Sequence, residues 1–242
     1  MTATLAALTI RALLNRRRTL LLVLLAALIV VVAALFRLSD PSPQEASRFT
    51  GRLLADFGLA VLLPLVSVIV GTATIGSELD DGTIIYLLSK PIARVRIGLV
   101  KLVVAWLVTI LIVVPAILLA GLVGNGGDSA LGLAYAVAAV VGALEYTAIF
   151  AALSLVTSRA LVVGLAYVVI WEGVIAGLFA GTRTVSVRQH ALAIADAFGA
   201  QGSVSAALEL GTAVTVTVVV TLLAAALMIR RLQGVELRGE TP

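Results

Sequence analysis

The chain has 242 residues, 61% of them hydrophobic and only 12% charged, whereas a soluble domain carries about a quarter charged residues. That composition excludes an ordinary globular enzyme and a disordered chain alike, and it leaves too little polar sequence for a separate soluble domain. The formal charge of +4 comes from basic residues scattered between apolar runs, a pattern that suits membrane orientation and not nucleic acid; with no cysteine there can be no disulfide framework, thiolate metal site or cysteine nucleophile.

In chain order, residues 1–18 come first. They place Leu5, Leu8 and Ala12 in a helical pattern too short to span and end on Arg16, Arg17 and Arg18, which predicts an interfacial helix on the cytoplasmic leaflet. Six runs then approach the roughly 20 apolar residues that a crossing helix needs: about 19–36, 57–76, 97–123, 130–157, 160–181 and 209–229. The first, uncharged from Thr19 to Phe36, exceeds the 7 to 15 residues or so of a signal-peptide core and is read as a retained span. The expectation is an all-α membrane protein with one transmembrane domain over 1–242.

Six spans put both ends on one side. With the amino terminus cytoplasmic, twelve of the 17 Lys and Arg residues lie inside, and five (Arg37, Arg48, Arg52, Arg183 and Arg188) lie outside, the asymmetry that the positive-inside rule demands. The outer segments are then 37–56, a short loop at 125–128, and 182–208. In the last, Leu192, Ile194 and Phe198 mix with Arg188, His190 and Asp196, which fits a short amphipathic or re-entrant element and fits a plain solvated loop equally well. His190 is the sole histidine; without cysteine beside it a metal site is disfavoured, and a solvated or headgroup-facing side chain is expected.

Small residues recur at four-residue spacing, Ala134, Ala138 and Gly142 in the fourth span and Gly173, Gly177 and Gly181 in the fifth, as close helix packing within the chain requires. Pro64 and Pro115 fall inside the second and third spans, each removing a backbone donor.

Glu145 and Glu172 are the acids well inside spans, where a charge costs at least about 2.5 to 3.5 kcal/mol. Each is 13.5 residues from the midpoint of the turn between spans four and five, about 20 Å of helix, so the two share a depth near the midplane. They are candidates for a polar patch lining a translocation route, or for carboxyls that fasten helices, with Tyr146, Tyr167 and Trp171 as possible partners.

Between spans two and three, Glu78, Asp81, Gly82, Thr83, Tyr86, Leu87, Leu88, Ser89, Lys90, Pro91 and Arg94 make a segment far longer than a turn needs. Acidic residues close one helix, Gly82 breaks it, Thr83 can cap a short amphipathic helix, and Pro91 suits the first turn of the next. The run Glu78, Asp81, Gly82, Thr83, Leu87, Leu88, Ser89, Pro91, Arg94 and Lys101 resembles the ABC-2 type transporter permeases of bacteria. The layout resembles them over the whole chain: a leading amphipathic helix, six spans, this cytoplasmic segment at 77–96, and a longer outer segment before span six.

The resemblance implies a coupling helix that docks on a separate nucleotide-binding ATPase subunit through Glu78, Asp81, Gly82, Thr83, Tyr86, Leu87, Lys90, Pro91 and Arg94. It also implies a second permease subunit, as homodimer or heterodimer, outward transport between the two, and a place in the cytoplasmic (inner) membrane with both termini cytoplasmic. ATP and Mg are then expected in the partner, and no cofactor in this chain. A phosphate cradle ending in Gly-Lys-Ser/Thr cannot be drawn here, because the only lysines, Lys90 and Lys101, follow Ser89 and Val100. The rival reading from the residues alone is an ATP-independent channel or a membrane assembly factor.

Overall fold

The structure is a computed structural model and describes residues 2–13, 16–80, 93–200 and 206–234. Among these residues every regular element is helical. Six helices are long and apolar enough to cross a membrane: Thr19–Arg37, Pro43–Gly76, Arg94–Gly124, Ala130–Ser154, Ala160–Leu178 and Leu210–Gln233. They are called here the first to sixth spans. The all-α membrane architecture expected from hydropathy is the one observed.

The boundaries differ where local chemistry overrides hydropathy. The second span begins at Pro43, well before residue 57, so most of the polar stretch 37–56 is helix and not loop. Its start is a capping box: the Glu45 amide donates to the Ser42 hydroxyl at 3.4 Å, and the Ser42 amide donates to the Glu45 carboxylate at 3.0 Å, with Pro43 in the first turn. Residues Leu54–Leu62 of this span form a wide π-helical stretch just ahead of Pro64, which has no N–H to donate. The third span begins at Arg94 instead of 97, and the fourth ends at Ser154 instead of 157.

The second, third and fourth spans form the centre of the bundle, and the first, fifth and sixth turn most of their surface outward through side chains such as Leu21, Val162 and Leu223. An outward leucine faces lipid tails as apolar as itself, so contacts between spans depend on close fit and on polar ties. Close fit is clearest between spans three and four: a Cβ built on Gly121 would lie 2.5 Å from the Cα of Gly132, so the two backbones touch. The Trp106 indole N–H adds a tie to the Val140 carbonyl at 2.9 Å.

The small-residue stripes split. Gly142 of the fourth span faces Leu63 and Ala191 at contact distance, as expected, whereas Cβ atoms on Gly177 and Gly181 would meet nothing within 4 Å. The fifth-span stripe therefore packs against no described part of this chain, which corrects the expectation of packing within it. Residues Thr2–Leu13 form a helix ahead of the first span that lies against the third span and touches the second, with Thr9 and Leu13 buried. Of the expected coupling segment, residues 81–92 lie outside the described residues, and Asp81, Gly82, Thr83, Tyr86, Leu87, Lys90 and Pro91 with them, while Glu78 belongs to the last turn of a helix that runs Leu63–Asp80.

Candidate functional site

The chain leaves the fifth span at Leu178 and does not simply loop to the sixth. Ala180–Val185 form a 3₁₀ turn, and Val187–Ala195 form a helix capped by Ser186, whose hydroxyl accepts from the Gln189 amide at 3.3 Å. That helix folds back against the fourth and sixth spans, and Val187 and every residue from His190 to Ala195 are buried. The stretch Asp196–Ala200 then turns away through Gly199, whose φ of +110° only glycine adopts at no cost. Over the described residues 182–200 the chain is helical and largely buried, unlike a plain solvated loop.

This fold-back segment brings the two buried acids to one place. The Glu145 carboxylate, 1% exposed, meets Nδ1 of His190 at 3.0 and 3.1 Å and accepts from the Thr217 hydroxyl of the sixth span at 2.9 Å. The Glu172 carboxylate, 4% exposed, accepts from the Ser186 hydroxyl at 2.5 Å, the Val187 amide at 2.9 Å and the Tyr167 hydroxyl at 3.2 Å. Five residues, Tyr167, Ser186, Val187, His190 and Thr217, thus hold acids that lie 27 positions apart in sequence. Glu172 sits at the amino end of the fold-back helix, where an anion is favoured by the orphan N–H groups and the helix dipole.

His190 is therefore not the solvated or headgroup-facing residue expected; it is 1% exposed. The reason is tertiary. An acid in a span needs a partner, and the helix that carries His190 folds inward to supply one. Nε2 of His190 lies 3.0 Å from the Thr184 carbonyl, which can only accept, so Nε2 carries a proton. Nδ1 against a carboxylate then requires one further proton between them, on the ring or on Glu145. Burial pulls the His190 pKa down, but the hydrogen bond and charge of Glu145 outweigh it and leave it above the ordinary histidine value.

The arrangement ties the fold-back segment to the fourth, fifth and sixth spans: Ser186 donates to Glu172, and the two nitrogens of His190 are engaged by Glu145 and by the Thr184 carbonyl. Among the described residues no group of His, Asp and Glu is placed to hold a metal ion. A further tie runs from Arg188 to Asp56 of the second span at 2.7 Å.

At the other end of the bundle, Arg94 opens the third span and donates from Nη1 to the Leu232 carbonyl at 3.2 Å and the Gln233 carbonyl at 2.6 Å. Lys101 is fully buried and donates to the Thr74 carbonyl at 2.8 Å. It ties the third span to the second.

Six crossing helices around a buried core of spans two to four define a multi-pass membrane protein. The pattern of the ABC-2 family transporter proteins matches residues 14–182, well over half the chain, and the chain belongs to that family, the membrane permease subunits of ABC transporters. A search of curated proteins found no match. The matched stretch contains Glu145 and Glu172 and ends before Ser186, His190 and Thr217.

Proposed function

We propose that the chain is the permease subunit of an ATP-driven exporter, moving its substrate outward on energy from a separate ATPase subunit that binds ATP and Mg. Two permease subunits pair, in the bacterial cytoplasmic membrane, with both termini on the cytoplasmic side. The carrying observation is the acidic, Gly-Thr, apolar, Ser-Lys-Pro stretch from Glu78 to Pro91, located between the second and third spans of a chain in this family. Glu78, Asp81, Gly82, Thr83, Lys90 and Pro91 shape the docking segment in this reading, and Tyr86 and Leu87 supply much of its contact energy, as buried aromatic and aliphatic anchors do. Twelve basic residues inside against five outside support the orientation.

In the same reading Glu145 and Glu172 hold the fold-back segment in place beside the route, because both carboxylates already have protein partners and neither is open to solvent in the single chain. The docking claim is tested by affinity purification from native membranes. Tyr86→Ala with Leu87→Ala reduces the copurified ATPase at least tenfold while membrane insertion stays intact; unchanged copurification removes the docking site from this segment.

A further inference from the structure

The last turn of the sixth span ends with four carbonyls that its own helix cannot satisfy. The Gly234 amide takes two of them, those of Arg230 and Arg231, each at 3.1 Å. The other two, of Leu232 and Gln233, receive the guanidinium of Arg94, a cation placed where the helix dipole favours one. Arg94 thus completes the carboxyl-terminal cap of a helix 138 positions away. One turn further along the same face of the third span, Gly98 gives the sixth span room: a Cβ there would lie 3.2 Å from the Met228 terminal methyl and 3.7 Å from Leu232. Met228 and Leu232, with Ile97 and Ile75, belong to a small hydrophobic core separate from the main one.

We infer that Arg94 is a positioning residue that clamps the last turn of the sixth span to the chain directly after residues 81–92, so that the sixth span follows any displacement of that segment. The inference rests on the reading of that segment as the ATPase-docking site. It assigns Arg94 to transmission instead of direct contact with the ATPase. It also gives the motion a destination, since Thr217 lies sixteen residues up the same helix, about 24 Å, and holds Glu145.

The test is amide hydrogen exchange in lipid nanodiscs, on the permease alone and on the complex with its copurified ATPase. In the permease alone, Arg94→Ala speeds exchange across residues 228–233 at least fivefold and Arg94→Lys, which keeps a cationic donor, restores part of the protection; unchanged exchange overturns the clamp. In the complex, Arg94→Ala retains the ATPase but abolishes the exchange change that ATP with vanadate produces across 210–233 in the unaltered protein, and Arg94→Lys recovers part of it. Loss of the ATPase on Arg94→Ala would place the guanidinium on the partner and overturn the inference, as would a full nucleotide response in that variant. Should the unaltered permease bring down no ATPase, the functional reading fails, and the first measurement still decides the clamp.

Discussion

Nδ1 of His190 lies within 3.1 Å of both carboxylate oxygens of Glu145, 45 positions earlier in the chain, and neither side chain is more than 1% exposed. The contact joins the fold-back helix to the fourth span, and Thr217 brings the sixth span to the same carboxylate. A buried acid at this depth is tolerable only with such partners.

Removing the imidazole strands that acid. His190→Ala lowers stability by about 3 to 5 kcal/mol, the cost of breaking a buried pair from one side. Glu145→Gln costs less, because an amide still hydrogen-bonds the ring and Thr217. Thermal unfolding of both singles and the double variant gives the coupling, which should be about 1 to 3 kcal/mol for groups in direct contact; strictly additive losses would show that the pair is not energetically joined.

Glu172 separates fastening from transport. Glu172→Gln is nearly neutral in stability, whereas Glu172→Leu costs about 1 to 3 kcal/mol by leaving the Val187 amide and the Ser186 hydroxyl unpaired. The double variant Glu145→Gln with Glu172→Gln keeps transport within about twofold if the acids only fasten helices. A large loss of transport at unchanged thermal stability would put the carboxylates back on the route.

That Glu145 and Glu172 lie level with each other was legible from a count about the turn at 158, and the fold-back helix meets both. Their shared partner was not, since no periodicity in one segment says which other segment it packs against. His190 sits among Arg188, Gln189 and Asp196, a local composition that reads as solvated; the sign that could have corrected it is that the chain's single histidine and two membrane acids each need a partner. The run Ala191–Ala195, with no polar residue, was a second sign of burial. At Ser42 the sequence signal was present in full, as Ser-Pro-Gln-Glu, and hydropathy alone hid the helix start because the first turns of the second span are polar. The burial of Lys101 was not legible, because a lysine four residues inside the run taken as a span looks like an edge charge until the helix is seen to begin at Arg94.

Gly121 lies directly against the backbone of Gly132 in the neighbouring span. Gly121→Val drives a side chain into the Gly132 backbone, which cannot yield as a flexible side chain would, and lowers stability by about 3 kcal/mol or more, at or beyond the upper end of overpacking costs. Gly177→Ala, with open space around it, leaves the thermal midpoint of the isolated chain unchanged or slightly higher. Equal tolerance at both sites would contradict the packing of spans three and four.

Sidedness follows from the basic residues. Because the native chain has no cysteine, Gln44→Cys, on the exposed first turn of the second span, should react with an impermeant thiol reagent in intact cells. Ser89→Cys should react only after the membrane is opened. Labelling of Ser89→Cys from outside would invert the topology.

The most direct test of the permease reading is photocrosslinking in living cells from a photoreactive amino acid placed at Tyr86, with the captured protein identified by mass spectrometry. The account predicts one dominant adduct, an ATPase carrying a Gly-Lys-Ser/Thr phosphate cradle, lost when Leu87 is also replaced by alanine. Capture of lipid alone, or of a protein without a nucleotide-binding motif, would contradict it.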